Sequence, residues 1–228
     1  MIKKTPSKMR SQTLAWLLMG FTAPAIAATD SYSTGPGQGG PDSTHWPSGK
    51  SLCDVWQMVY NGWGLDPDGD EDKDGCSNHV ESIAGTNPRV AGDCHRVGNM
   101  VISALNIVFT FDAEAGKRYR VLSDDSPGGA FTTVVTQVSP VNEQPEFIPT
   151  SDNPSQTISV AKAAGTKKFY KLEVSDVDGD SDGISDWAER KMGTLPNNAT
   201  SPGNASGGTA TDADTLASLL SLQGTVVT

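Results

Sequence analysis

The side chains in this sequence best suited to chemistry are carboxylates, and they gather in two places. Residues 66–81 carry seven acids: Asp66, Asp68, Asp70, Glu71, Asp72, Asp74 and Glu81. Residues 176–189 carry six: Asp176, Asp178, Asp180, Asp182, Asp186 and Glu189. These two stretches hold 13 of the 27 acidic residues in a chain of 228. Such crowding is repulsive unless a cation sits among the charges. Asp70, Asp72, Asp74, Gly75 and Glu81 fit the pattern D-x-[DN]-x-[DN]-G-x5-E, and Asp178, Asp180, Asp182, Gly183 and Glu189 fit it again. This is the spacing of a twelve-residue calcium loop. Ca2+ takes about six to eight oxygen ligands. Short aspartates at positions 1, 3 and 5 reach inward, and glycine at position 6 permits the sharp turn. Position 7 contributes a backbone carbonyl, here from Cys76 or Ile184. Position 9 is Asn78 or Asp186, and the longer Glu81 or Glu189 at position 12 reaches back to bind through both oxygens. Only one frame works in each loop. Starting at Asp66 or Asp68 would put Glu71 or Lys73 at the glycine position, and starting at Asp176 would put Ser181 there. The competing reading is a solvated acidic linker with chance spacing, and the duplication argues against it.

The match runs past the loops. Residues 70–88 and 178–196 align without a gap and are identical at 9 of 19 positions. Both end Gly-Thr-x-Pro, at Gly85-Thr86-Asn87-Pro88 and Gly193-Thr194-Leu195-Pro196. The pattern predicts short helices over 77–84 and 185–192, each ended by a left-handed glycine and a proline that cannot continue it. Neither loop follows a helix in the sequence: Gly62-Trp63-Gly64-Leu65-Asp66-Pro67 precedes the first, and a strand-like run over 168–174 precedes the second. A sensor works by changing the angle between two helices. With one helix of each pair missing, the ions are expected to be structural rather than to drive a switch.

The loop-plus-helix unit ending Gly-Thr-x-Pro resembles the thrombospondin type 3-like calcium repeats of bacterial exported proteins. Dockerin repeats are similar, but the two loops here start 108 positions apart, whereas dockerin repeats lie close together. The resemblance covers about 19 residues twice. It implies ligand roles for Asp70, Asp72, Asp74, Asn78 and Glu81, and for Asp178, Asp180, Asp182, Asp186 and Glu189. More loosely, the chain resembles the lead-in of large bacterial exported proteins, in which such repeats bracket a small β domain. That looser resemblance implies no activity.

Other elements must position these loops. Residues 1–27 hold Lys3, Lys4, Lys8 and Arg10 with no acid, then an apolar run from Leu14 to Phe21 and a small-x-small exit at Ala25-Ile26-Ala27. This predicts a secretory signal peptide, too short to stay as a membrane span. Its removal leaves 13 basic against 27 acidic residues, a formal charge of −14. That excess argues against nucleic acid and against anionic membrane surfaces as partners. Residues 28–50 read as a flexible lead containing His45 and Trp46. Residues 51–96 read as a helix followed by the first calcium element. Leu52, Val55, Trp56, Val59 and Tyr60 fall at helical spacing, with Ser51 as N-cap and packing onto the first calcium helix through Ile83. Residues 97–175 alternate in short runs: Ile107, Phe109 and Phe111; Tyr119 and Val121; Val134, Thr136 and Val138; Tyr170, Leu172 and Val174. They predict a small antiparallel, fibronectin-like β-sandwich of roughly six or seven strands, with a marginal core that a calcium element at each end would brace. The expected fold class is therefore mainly β: a sandwich flanked by two loop–helix calcium elements (the second over 176–196), with a short N-terminal helix. Residues 197–214 read as a linker, part of an unassigned C-terminal segment over 197–228 whose Leu216, Leu219, Leu220 and Leu222 have no evident partner.

The remaining chemistry is thin. Cys53, Cys76 and Cys94 suggest one disulfide and one free thiol in an oxidising compartment. Cys76 aligns with the apolar Ile184, which favours Cys53–Cys94. A zinc site from Cys76, His79, Cys94 and His95 is the competing use of these residues. No G-x-S-x-G elbow or glycine-rich phosphate loop occurs, and no enzyme activity is expected. The expectation is a calcium-binding structural or interaction module that is secreted, periplasmic or on the cell surface, either by itself or as the front of a larger surface protein. The alternative is a dockerin-like, carbohydrate- or protein-binding module with a cell-surface polysaccharide or protein partner.

Overall fold

The computed structural model describes residues 50–134, 136–138, 142–151, 153–162, 168–200 and 210–223. The expected signal peptide, and the lead with His45 and Trp46, lie outside the described residues. In chain order the elements are α1 (Asp54–Tyr60), α2 (Asn78–Ala84), β1 (Val97–Ile102), β2 (Asn106–Ala113), β3 (Lys117–Asp124), β4 (Thr132–Thr133), β5 (Thr136–Val138), β6 (Asn142–Gln144), β7 (Asn153–Ala161), β8 (Phe169–Asp176), α3 (Asp186–Met192) and α4 (Asp212–Gln223). The protein is mainly β, as its patterning predicts, with four short helices among the described residues where three are expected. The strands form two antiparallel sheets, ordered β1-β2-β7-β5-β6 and β4-β3-β8.

Alternation builds both sheets. β2 buries Ile107, Phe109, Phe111 and Ala113, and β3 buries Tyr119 and Val121. With Ile158 and Val160 of β7 and Tyr170 and Val174 of β8, these side chains form one core shared by the two sheets. Strands β2 and β3 are consecutive but lie in different sheets, so the chain crosses over at residues 114–116. Gly116 there has φ 81°, which glycine adopts at little cost. Eight strands are described where six or seven are expected. β1 is mostly exposed and β4 has two residues, so neither carries an alternation to announce it.

The helices make a second core. Leu52, Val55 and Trp56 from α1 and its approach pack with Ile184, Trp187 and Ala188 around α3 and with Leu216 of α4. This corrects the expectation that α1 packs on α2 through Ile83, which instead lies against the sheets' core. The large apolar partners Ile184 and Trp187 belong to the second repeat. α1 and α2 are joined by hydrogen bonds: Cys53 N donates to Ser82 Oγ (2.8 Å), Trp56 Nε1 to the Thr86 carbonyl (2.6 Å) and Tyr60 Oη to the Gly85 carbonyl (2.8 Å). The cap of α1 is also corrected. It is Cys53 rather than Ser51, and its Sγ accepts from Trp56 N at 3.5 Å.

The two loop–helix units are neighbours, not braces at separate ends. A Cβ on Gly85, which ends α2, would lie 2.6 Å from Trp187 Nε1. A Cβ on Gly116 would lie 2.6 Å from Trp187 N. Glu114, in the same crossover, accepts from Trp187 Nε1 (3.4 Å) and Lys191 Nζ (3.3 Å). The buried Lys117 ammonium lies 4.6 Å from the Trp187 ring centroid and 2.7 Å from Asp176 Oδ1. The reading of 197–214 as linker is corrected at its far end, because α4 begins at Asp212. Thr211 and Asp214 form a reciprocal cap. Asp214 N donates to Thr211 Oγ1 (3.1 Å), and Thr211 N donates to Asp214 Oδ2 (2.9 Å). Leu216 and Leu220 thus have a partner, the helical core, whereas Leu222 is exposed.

Candidate metal centres

Each loop curls around its own aspartates. In the first, Asp70 Oδ2 accepts from Gly75 N (2.9 Å), Asp72 Oδ1 from Asp74 N (3.2 Å) and Asp74 Oδ1 from Cys76 N (2.9 Å). In the second, Asp178 Oδ2 accepts from Gly183 N (3.0 Å), Asp180 Oδ1 from Asp182 N (3.3 Å) and Asp182 Oδ1 from Ile184 N (2.8 Å). The backbones agree as closely. Gly75 and Gly183 both have φ 97°, and Lys73 and Ser181 have φ 62° and 64°. Ser77 and Ser185 cap α2 and α3 through Val80 N and Ala188 N, so the helices start one residue later than predicted. Neither loop follows a helix: α1 ends at Tyr60, and β8 leads into the second loop.

This curl brings Asp70, Asp72 and Asp74 together, each with an oxygen within 4.8 Å of the others, and likewise Asp178, Asp180 and Asp182. Both triads can hold a metal ion. The glutamates at position 12 make the stronger case. Glu81 and Glu189 are buried, and both oxygens of each lack a hydrogen-bond partner. Asp72 Oδ2, Asp180 Oδ2, Asp182 Oδ2 and Asn78 Oδ1 are buried and unpartnered as well. Leaving a charged group buried without a partner is costly. A cation bound by oxygens would satisfy all of these atoms, so the residues present fit a metal.

The electrostatics agree. Burial, then the neighbouring Asp72, Asp74 and Asp70, push the Glu81 carboxyl up to about 8. Burial, then Asp212, Asp180 and Asp182, push Glu189 well above the ordinary carboxylate range. Burial also raises Asp72 and Asp182. Asp74 behaves differently. Burial pushes it up, but donors from Cys76, Gly92 and Cys94 outweigh that and hold it below its usual range. The first loop is thus partly neutralised by backbone N–H groups and by Arg96, 3.4 Å from Asp74 Oδ2. Among the described residues, Asp182 has no such clamp beyond the Ile184 N–H.

The position 9 side chains close the loops from outside. Asn78 Nδ2 donates to the Asp66 carbonyl (2.7 Å), and Asp186 Oδ1 accepts from Gly179 N (2.7 Å). Cys76 and Ile184, expected to offer carbonyls, anchor their loops through their side chains. Ile184 is buried in the helical core. Cys76 is joined to Cys94 in a disulfide whose Cα atoms are 5.9 Å apart. This corrects the leaning toward Cys53–Cys94. Residues 92–94 fold back to donate to Asp74, which carries Cys94 to Cys76 and leaves Cys53 buried in α1's cap. Burial pushes the Cys53 thiol up to about 12. With both thiols in the disulfide, the zinc arrangement of Cys76, His79, Cys94 and His95 loses its ligands. His79 Nδ1 and His95 Nδ1 contact the Ser51 and Asp112 carbonyls instead.

One site residue escaped the sequence reading. Asp212, the first residue of α4, is fully buried, and its carboxylate lies within 4.8 Å of ligand atoms of Asp180 and Glu189. The Thr211-x-x-Asp214 cap followed by Leu216, Leu219 and Leu220 is the signal that would have placed a helix there. Compared with known proteins, the chain matches no family model, no curated protein and no solved structure.

Proposed function

We propose that this chain is a secreted, calcium-stabilised structural or interaction module. Two Ca2+ ions bind at Asp70, Asp72, Asp74 and Glu81 and at Asp178, Asp180, Asp182 and Glu189. One observation carries the reading: at position 12 of two duplicated loops stands a buried glutamate with both oxygens unpartnered. The loop spacing and the all-oxygen donor set favour calcium over softer metals. The two sheets act as a fibronectin-like sandwich, and the ions fix the helical layer against it. The loop–helix unit resembles the thrombospondin type 3-like repeat. A structural role follows from the missing entering helices and from the contact between α3 and the end of α2. An oxidising destination is supported by the Cys76–Cys94 disulfide. The sugar-binding alternative draws no support from Trp56 and Trp187, both fully buried, so neither can stack on a ligand.

Thermal melting of the full chain in calcium and in EGTA tests this reading. At a calcium concentration of roughly ten times Kd, each site adds about 1.4 kcal/mol. For a chain of this size that corresponds to an upward shift of roughly 6–10 °C for the pair, and equimolar Mg2+ should give much less. An unchanged midpoint rejects the proposal.

A further inference from the structure

The second loop differs from the first in what lies against it. Asp74 of the first loop is clamped by residues 92–96. Against the second loop lies α4, a twelve-residue helix that the loop motif neither includes nor requires. Asp212, Leu216 and Leu220 recur every four residues and share one face of α4. Leu216 is fully buried and Leu220 partly buried against the helical core. At the head of that face, the buried Asp212 carboxylate meets Asp180 and Glu189, each offering an atom within 4.8 Å. Asp180 belongs both to this group and to the loop triad, so one ion at the triad's mouth can touch both. Glu189 is fully buried with both oxygens unpartnered. The Asp212 and Glu189 carboxyls hydrogen-bond each other once one is protonated, so either a proton shared between them or a bound cation must offset the repulsion of this group.

We propose that Asp212 is a further protein ligand of the second metal, so that the ion ties the C-terminal helix α4 to the α1–α3 layer. This rests on the proposed calcium occupancy of that loop and adds to it a ligand from outside the motif. The ion and Leu216 hold α4 together. Binding metal orders the helix against the core, and undocking the helix exposes the ion to water. The first site, clamped by its own flank and disulfide, is independent of α4.

Calcium titration calorimetry on the full chain, with hydrogen exchange of the α4 amides in calcium and in EGTA, tests the proposal. Asp212→Asn, which keeps shape and hydrogen-bonding capacity, should weaken one of two calcium sites at least tenfold and leave the other within twofold. It should also abolish the calcium-induced protection of residues 215–222. Leu216→Ala, which touches no carboxylate, should weaken the same site severalfold. The proposal is overturned if Asp178→Ala removes a site while Asp212→Asn leaves both affinities within twofold. It is also overturned if α4 exchanges equally with and without calcium. If neither Asp70→Ala nor Asp178→Ala alters binding, the loop reading itself falls, and this inference with it.

Discussion

At the scale of single residues, the imidazole of His95 governs one pH response of the fold. It is buried between Phe111 and Tyr119, with ring centroids 5.7 and 5.1 Å away. The Asp112 carbonyl, 3.1 Å from Nδ1, can only accept, so Nδ1 carries the proton. Burial pushes the imidazole down to about 4. The folded state therefore refuses a proton that the unfolded chain takes up near pH 6.5. The contribution of His95 is nil above that pH and lowers stability as pH drops from 6.5 toward 4, by on the order of 3 kcal/mol. Urea unfolding of wild type and His95→Gln in EGTA should show this slope only in the wild type; parallel curves would contradict it. The loop residues were legible because the motif is local: a fixed spacing of carboxylates and one glycine specifies a backbone curl wherever it occurs. Asp212 was not legible, since its role depends on a helix that returns from elsewhere in the chain. Its neighbourhood of Asn, Ser, Gly and Thr reads as linker until the Thr211–Asp214 cap is recognised.

At the scale of elements, the crossover between β2 and β3 seats the helices on the sheets. Lys117 is 1% exposed in its pair with Asp176, which is 35% exposed. Removing one partner strands the other, and the cost depends on which is left buried. Asp176→Ala leaves an ammonium without water and should cost up to about 3 kcal/mol. Lys117→Met leaves a carboxylate that solvent reaches and keeps the stack on Trp187, and should cost about 1 kcal/mol or less. Denaturant melts give the comparison, and an equal or reversed order would refute it. The disulfide acts on one element only. Cys94→Ser releases the segment that donates to Asp74 and should cost about 3 kcal/mol by the chain-entropy model. It should lower affinity at the first calcium site alone, and an equal fall at both sites would refute the assignment. The positions of α1, β2, β3 and β8 were legible from periodicity and those of α2 and α3 from the loop motif, whereas β1, β4, β7 and α4 were not legible. The pairing of cysteines and the partner of α1 were not, because both depend on contacts between segments that only the folded chain brings together.

Across the whole molecule, the two repeats are separated by the entire β region yet come together through Trp187 and Gly85, with α1 bonded to one and packed on the other. The modest β core and the small helical core are thereby coupled at one junction. Loss of metal should loosen both helices and, through Lys117 and Glu114, the edge of the sheets. This layout is what the expectation of separate braces lacked. Sequence spacing says how far apart two motifs are along the chain, and antiparallel sheets can return them to the same place. The most direct measurement is anomalous scattering from crystals of the full chain grown in millimolar calcium. The account predicts two peaks, each about 2.3–2.6 Å from its loop's three aspartates and glutamate, the second also in contact with Asp212. Crystals that diffract well and show no peak at either loop would contradict it.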